Sequence, residues 1–316
     1  MATYMVTGGA GFIGSNLVET LLERNHQVRV IDNFCTGRRE NLVPFNNSYT
    51  LFEHDIADYE GLEEALNGVD YVLHQAALPS VPRSIADPVS SFRSSVEGTI
   101  NLLQACRTVG VKRLVFASSS SIYGSNPELP KRESMKLAPL SPYAASKLAA
   151  ETYCQVYYKV YGLQTVCLRY FNVFGPKQDP NSQYAAVIPK FIRAALRDDT
   201  LTIFGDGEQS RDFTYITNVV NANILAAQSE SGAGEVFNLA CGDRITLNRM
   251  VEEVEKFIGH KVKRQYDQPR PGDVPHSQAD IERISNTFGF KPQVSFEEGL
   301  RITYEYFKEI FSHQEP

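Results

Sequence analysis

The chain has no long run of basic residues: 31 Lys and Arg stand against 37 Asp and Glu, a formal net charge of −6. Nucleic-acid binding is therefore not expected, although a local basic pocket for phosphates fits this balance. No apolar stretch is long enough to span a bilayer. The first predicted strand begins so close to the N-terminus that no signal peptide is expected ahead of it. Cysteine is sparse. Cys35, Cys106, Cys154, Cys167 and Cys241 are an odd number without close spacing, which argues for reduced packing residues in a cytoplasmic protein. The six histidines lack metal-ligand spacing, so no metal site is expected. Internal repeats and low-complexity tracts are absent. What is left, 42% hydrophobic and 22% charged, is ordinary for a soluble globular protein. Its 316 residues suffice for one large α/β unit, or for a nucleotide domain with a smaller companion.

Short apolar runs alternate with amphipathic stretches through the first half. Residues 4–6, 27–31, 50–54, 71–74, 113–117 and 165–169 read as buried strands, with helices at 13–24, 62–67 and 96–108 among them. This order predicts an α/β fold, a Rossmann-type doubly wound parallel sheet covered on both faces. Beyond it the pattern is mixed, with helices at 187–196, 218–228, 247–258 and 296–311 and strands at 212–216 and 236–239. A smaller mixed α/β C-terminal substrate domain is expected there. The expected division gives 1–172 and a return segment at about 212–240 to the nucleotide domain. The substrate domain takes 173–211 and 241–316.

Gly8, Gly11 and Gly14 follow the first strand and open the first helix. Gly8 permits a tight turn, Gly11 lets the backbone approach a pyrophosphate, and Gly14 lets helix and strand pack closely. The helix N-terminus at Phe12 and Ile13 then offers N–H groups and partial positive charge to phosphates. Asp32 ends the second strand, where a carboxylate meets the adenosine ribose hydroxyls. It would repel a 2′-phosphate, so NAD is expected over NADP, although Arg38 and Arg39 downstream could reverse that. Asp55 and Ile56, after the third strand, could hold the adenine.

Tyr143 and Lys147 share one face of a helix that Ser141 and Pro142 start. A free phenol titrates near 10, so a base working near pH 7 needs a shift of roughly three units, about 4 kcal/mol. A nearby Lys⁺ and an oxidised nicotinamide both favour phenolate. Upstream, Ser118 to Ser121 sit at the C-terminal end of a central strand, where α/β sheets place ligands. A serine there could hydrogen-bond the reacting oxygen and relay its proton. Together these features point to hydride transfer at a carbon bearing a hydroxyl. Taken singly, each also has a plain structural reading: a tight turn, a capped strand, a tyrosine and lysine on an amphipathic helix.

Further segments accompany them: Asn33 with Thr36-Gly37-Arg38, His74-Gln75-Ala76-Ala77, Leu168 to Pro176, Gly205-Asp206-Gly207 with Ser210-Arg211-Asp212-Phe213, and Arg270-Pro271-Gly272-Asp273. With all of these, the chain resembles an extended short-chain dehydrogenase/reductase, and within that superfamily a UDP-hexose 4-epimerase. The resemblance implies that Asn33, Gly37, Gln75, Ala76, Ala77 and Phe171 join the cofactor site alongside Tyr143 and Lys147. It also implies a mechanism. Tyr143 takes the proton of the sugar 4-hydroxyl as the C4 hydride passes to NAD, Lys147 holds the nicotinamide ribose and lowers the tyrosine pKa, and Ser119 hydrogen-bonds the 4-oxygen. The 4-keto sugar then turns about its diphosphate and takes the hydride back on its other face.

For the substrate, the resemblance implies Asn172 at the phosphate region, Arg211 and Arg270 on the diphosphate, and Asp273 on the uridine ribose. The resemblance also implies Ser80, Ser120, Ala186 and Val187 along the sugar and uracil pockets. Ser120 and Ser121 replace the carboxylates of related dehydratases and decarboxylases, which argues against elimination of water. Ser277 stands where relatives restricted to UDP-glucose and UDP-galactose carry tyrosine, leaving room for a 2-acetamido group. UDP-GlcNAc/UDP-GalNAc is thus the expected pair, with UDP-glucose/UDP-galactose also admissible. Two residues depart from the pattern: Pro79, where the closest relatives often have glycine, and Ser95, where many have asparagine. A UDP-glucuronate 4-epimerase is the alternative reading, and a non-catalytic NAD(P)-binding sensor a remote one. Relatives commonly dimerise through the helices around 96–108 and 143–161. The apolar Tyr153, Val156, Tyr157, Val160 and Tyr161 make a homodimer the expected assembly.

Overall fold

Apolar runs without a polar face suit a parallel sheet buried on both sides, and six of them pair in this way. The computed structural model describes residues 1–179, 187–268 and 275–312. Its first strands are β1 (Thr3–Thr7), β2 (Gln27–Asp32), β3 (Thr50–Glu53), β4 (Tyr71–His74), β5 (Arg113–Ser119) and β6 (Gln164–Tyr170). Among them run α1 (Phe12–Glu23), α2 (Leu62–Leu66), α3 (Val81–Ala86), α4 (Pro88–Phe92), α5 (Gly98–Val109) and α6 (Pro142–Tyr161). The chain continues through β7 (Val173–Phe174), α7 (Val187–Leu196), β8 (Leu201–Phe204), β9 (Ser210–Arg211), β10 (Thr214–Tyr215) and α8 (Ile216–Gln228). It then returns as β11 (Glu235–Leu239), the seventh strand of the sheet. The order is β11-β6-β5-β4-β1-β2-β3, all neighbours parallel. The order reverses between β1 and β4, where helices diverge to opposite faces and a crevice opens beyond the strand ends.

The remaining elements are β12 (Ile245–Thr246), α9 (Leu247–Ile258), β13 (Arg264–Asp267), α10 (Glu282–Phe288) and α11 (Phe296–Ser312). Small ladders join β7 to β10, β9 to β12 and β8 to β13. The fold is α/β, a Rossmann-like seven-strand sheet with small mixed sheets in the C-terminal part. On one face of the large sheet Leu17, Val18 and Leu21 share a core with Val220 and Ile224. On the other, Leu102, Leu103 and Cys106 pack with Ala150 and Cys154. Each fully buried Leu or Val contributes about 1.5–3 kcal/mol. All five cysteines are free thiols, with Cys35 exposed. Among the described residues, no helix is long and apolar enough to cross a membrane and no His/Cys/Asp/Glu group could hold a metal ion.

Three details differ from the sequence-based expectation. The strand anticipated at 212–216 forms only at Thr214–Tyr215. Asp212 turns its carboxylate inward to backbone N–H groups instead of extending a ladder. The helix anticipated from 96 begins at Gly98, after a π-helical turn over Arg93–Glu97. The unanticipated α3 and α4 are short, and each starts on a capping residue followed within two positions by proline: Ser80 and Asp87 accept from Arg83 and Ser90 N–H.

Candidate active site

Close backbone approach builds one end of the crevice. Gly8 sits at φ +66°, and a Cβ there would lie 2.8 Å from the Ala76 nitrogen. A Cβ on Gly14 would lie 2.1 Å from the Gly8 carbonyl oxygen, so β1, the turn and α1 meet only because both are glycine. Helix α1 starts at Gly11 with no side-chain cap. Gly11, Phe12 and Ile13 line a cavity of about 740 Å³, leaving the start of the helix to a ligand.

At the outer end of this cavity, Asp32 accepts from the Ala10 and Phe34 N–H groups at 2.8 Å each. Burial pushes its pKa up, and those two bonds pull it back. A Cβ on Gly37 would lie 2.8 Å from both carboxylate oxygens, so glycine keeps the approach to them open. Asn33 donates to Asp55 at 3.0 Å, and both line the cavity with Ile56. Arg39 pairs with Glu53 at 2.6 Å and covers the Phe34 ring, while Arg38 lies 3.8 Å from Glu40 and from Asp179. Both guanidinium groups are thus engaged with carboxylates.

At the inner end, Ser141 caps α6 by accepting from the Ala144 N–H at 3.2 Å. Tyr143 and Lys147 follow in its first two turns and line the cavity beside Ser119, at the end of β5. Lys147 Nζ donates to the Ala117 carbonyl at 2.8 Å and lies 4.8 Å from the Phe116 ring centre. Burial pushes its pKa down to about 8. The Ser119 hydroxyl meets the Ser121 hydroxyl at 2.9 Å, and Ser119 and Tyr143 stand on the same cavity wall. Burial raises the Tyr143 pKa, and the nearby Ser119 hydroxyl opposes that rise. An accepting carboxylate, an uncapped helix start and a buried ammonium follow one another along the cavity. They match a ribose diol, a pyrophosphate and a nicotinamide ribose, so the donor set fits a dinucleotide.

The pattern of the NAD dependent epimerase/dehydratase family matches residues 4–240. The chain belongs to this family. It resembles the UDP-N-acetylglucosamine 4-epimerase of Methanobrevibacter ruminantium, whose structure is in complex with UDP-N-acetylmuramic acid. The two are 44% identical, with a TM-score of 0.93 over 98% of this chain and 99% of that one. The UDP-glucose 4-epimerase of Thermotoga maritima, solved with UDP-glucose, is 38% identical, with a TM-score of 0.93 and coverage of 98% and 99%. The UDP-glucose 4-epimerase of Mycolicibacterium smegmatis is 37% identical over 309 residues, 96% of this chain and 98% of that protein.

In this NAD-dependent epimerase/dehydratase the cavity also takes in Gln75, Ala76, Ala77, Ser80 and Asn172. Ser80 stands at φ +109°, and as the cap of α3 its hydroxyl accepts from Arg83 N–H at 3.2 Å. Pro79 lies beside it in the wall, as does Ser94 rather than Ser95. The Ser95 hydroxyl is buried without a partner among the described residues. Phe171, expected at the cofactor, does not line the cavity. Its ring is buried 6.2 Å from that of Tyr123, in a cluster with Ala240 and Ala279. Ser120, Val187, Arg211 and Ser277 stand outside the cavity wall as well. Ser120 opens the 3-10 turn Ser120–Tyr123 and Val187 begins α7. Arg211 Nη1 donates to the carbonyls of Ser210 and Pro275 at 3.0 and 3.1 Å. The Ser277 N–H donates to the Ser210 carbonyl at 3.0 Å. Ala186, Arg270 and Asp273 lie outside the described residues.

Other wall residues carried no expectation. Lys177, Gln178 and Asp179 cross beside the glycine turn, with Lys177 paired to Glu19 at 2.7 Å and Asn16 donating to the Pro176 carbonyl at 3.4 Å. Their signal was a polar run directly after Gly175-Pro176. The Tyr170 hydroxyl joins Gln75 to Asn223, 2.9 Å away, and Asn223 lies mid-helix in α8 with nothing around it to mark it out.

Proposed function

We propose that the protein is an NAD-dependent UDP-sugar 4-epimerase acting on UDP-GlcNAc/UDP-GalNAc, with UDP-glucose/UDP-galactose also accepted. The observation carrying this reading is the Ser119 hydroxyl, 2.9 Å from that of Ser121, on one cavity wall with Tyr143 and Lys147, with no carboxylate at 120 or 121. Bound NAD supplies a reversible hydride acceptor. Tyr143 exchanges a proton with the sugar 4-oxygen, which Ser119 holds by a hydrogen bond. Burial works against the phenolate, so a cation is needed, and Lys147 beside it is the ammonium placed to supply one, although burial pushes its pKa down to about 8. Without an acid at 120 or 121 the ketone is reduced back rather than dehydrated.

Arg211, Arg270, Asp273 and Asn172 are read as the nucleotide diphosphate contacts, and 173–211 with 241–316 as the substrate-binding part. Ser277 is small enough for a 2-acetamido group to pass. Ser277→Tyr is expected to lower kcat/KM for UDP-GlcNAc at least 100-fold while sparing UDP-glucose, and equal losses on both would reject this assignment. Free thiols and a single soluble catalytic unit suit the cytoplasm.

The decisive experiment is proton NMR of the purified protein with UDP-GlcNAc, UDP-glucose or UDP-glucuronate. The expected result is a galacto-configured anomeric signal with UDP-GlcNAc and no net NADH. Turnover of UDP-glucuronate alone would favour the glucuronate epimerase, and no turnover by NAD-bound protein would reject epimerisation. A homodimer completes the reading: Ile85, Val89 and Phe92 of α3 and α4 are exposed, as are Val156, Val160 and Tyr161 of α6. The Phe92→Glu/Val160→Glu variant should sediment as a monomer where the parent sediments as a dimer, and a monomeric parent would refute the assembly.

A further inference from the structure

We propose that Asp212 is the positioning residue of the substrate side, fixing through one buried carboxylate where Arg211, Asn172 and Ser277 stand. The proposal rests on the UDP-sugar reading above. Asp212 is wholly buried, and its partners among the described residues are backbone N–H groups rather than a cation. Its Oδ1 accepts from Cys241 at 2.9 Å, and its Oδ2 accepts from Gly242 at 3.0 Å and Ala279 at 3.1 Å. The first two amides belong to the chain leaving β11, and the third to the segment entering α10. One side chain therefore ties together two stretches that have no ladder between them among the described residues.

The main chain around Asp212 extends the clamp. Its carbonyl accepts from Asn172 Nδ2 at 3.3 Å. Its neighbour Ser210 is bonded to Pro275 and Ser277 through the backbone, each at 3.0 Å, and to His276 Nδ1 through its hydroxyl at 2.9 Å. Arg211, between them, donates to the Ser210 and Pro275 carbonyls. Asn172, Arg211 and Ser277 come from three separate parts of the chain, and each is held to residues 210–212. Two-residue strands alone bury too little to hold such a junction. Burial pushes the Asp212 pKa up to about 7 while the three N–H groups pull it down, and in the ionised form they favour these bonds are charge-assisted.

The chemistry permits a near-isosteric test. Asp212→Asn keeps the shape but replaces one oxygen by an NH₂ group, a donor. Turned either way, it points that donor at one or two backbone N–H groups that then lose their acceptor. A lost acceptor for buried donors translates into a tenfold to hundredfold effect. Asp212→Glu retains the charge but displaces it by a methylene, and should have a smaller effect of the same kind.

The measurements are NAD content per chain, UDP affinity by calorimetry, and kcat and KM for the best UDP-sugar. UDP serves as the probe because it reports the clamp without the hydride chemistry. The expected result is full NAD content, a tenfold to hundredfold weaker UDP affinity, a parallel rise in KM and a smaller change in kcat. Unchanged UDP affinity and KM in Asp212→Asn would overturn the proposal. Loss of NAD together with UDP in both variants would overturn it too, since Asp212 would then serve the whole fold. Wild-type protein that holds NAD but neither binds UDP nor converts any UDP-sugar would reject the underlying reading, and that is seen before any variant is made.

Discussion

Around the glycine turn the cavity wall is main chain: β1, β4 and α1 approach so closely that a single methyl at Gly14 would sit 2.1 Å from a neighbouring carbonyl oxygen, far inside van der Waals contact. At residues 210–212 the strand is two residues long, residues 275–279 make only isolated bridges, and side chain-to-backbone bonds hold both. The first region derives its shape from sterics within a few consecutive residues and from a fully parallel sheet behind them. The second derives it from donors and acceptors scattered along the chain. A dinucleotide needs a fixed groove, whereas a sugar that must present both faces needs a frame that can be adjusted one bond at a time.

The contrast breaks most severely at Gly14. Gly14→Ala forces backbone apart at 2.1 Å, and overpacking of this kind costs about 1–3 kcal/mol or more. The expected product is protein purified with little or no NAD, read as released cofactor per chain, and full NAD content would show that the turn yields. Tyr143→Phe acts on neither frame. It should lower kcat by about 10²–10⁴ while NAD and UDP remain bound, and undiminished turnover would remove Tyr143 as the base.

A smaller effect comes from His74, which sharpens the picture of the cofactor frame. Its ring is buried between the Thr7 hydroxyl at 2.7 Å and the Thr99 hydroxyl at 3.0 Å, and burial pushes its pKa down to about 3. The folded protein keeps it neutral while the unfolded chain takes up a proton near pH 6.5, so stability is present above that pH and drains away between 6.5 and 3. At pH 4 the loss from this group is about 3 kcal/mol. In urea melts, His74→Asn should be weaker at pH 7 by about 1–2 kcal/mol yet lose less on acidification. An unchanged pH 7-to-4 difference would exclude His74 as a source of acid sensitivity.

Legibility in the sequence follows the same divide. Gly8, Gly11, Gly14, Asp32 and the Tyr143/Lys147 pair could be read because each lies in a contiguous motif or one helical turn from its partner. Most of the seven strands were visible because the central part of a sheet buried on both faces demands apolar runs, whereas the edge strand β3 has no buried residue. Phe171 showed its limit: alternation along an extended segment sends one ring into the Tyr123 cluster, and the motif alone does not say which side faces the ligand. Asp212 was read as strand because its apolar and aromatic neighbours suit one. Its true partners, at 241, 242 and 279, leave no periodic trace. Asn223 was invisible for a similar reason, since one polar residue inside a helix gives no hint of a buried tyrosine hydroxyl opposite.

The seventh strand has a consequence for how the protein is made. β6 ends at Tyr170, and the strand that covers its open edge, β11, starts only at Glu235. At a synthesis rate of about 5–20 residues per second, that edge waits roughly 3–13 s for its partner. During that interval the nascent chain presents an apolar, hydrogen-bond-hungry strand to every other chain nearby. Premature termination anywhere between the two strands therefore leaves a sticky fragment rather than a working cofactor domain, and the ribosome must run well past Tyr143 before the sheet is safe.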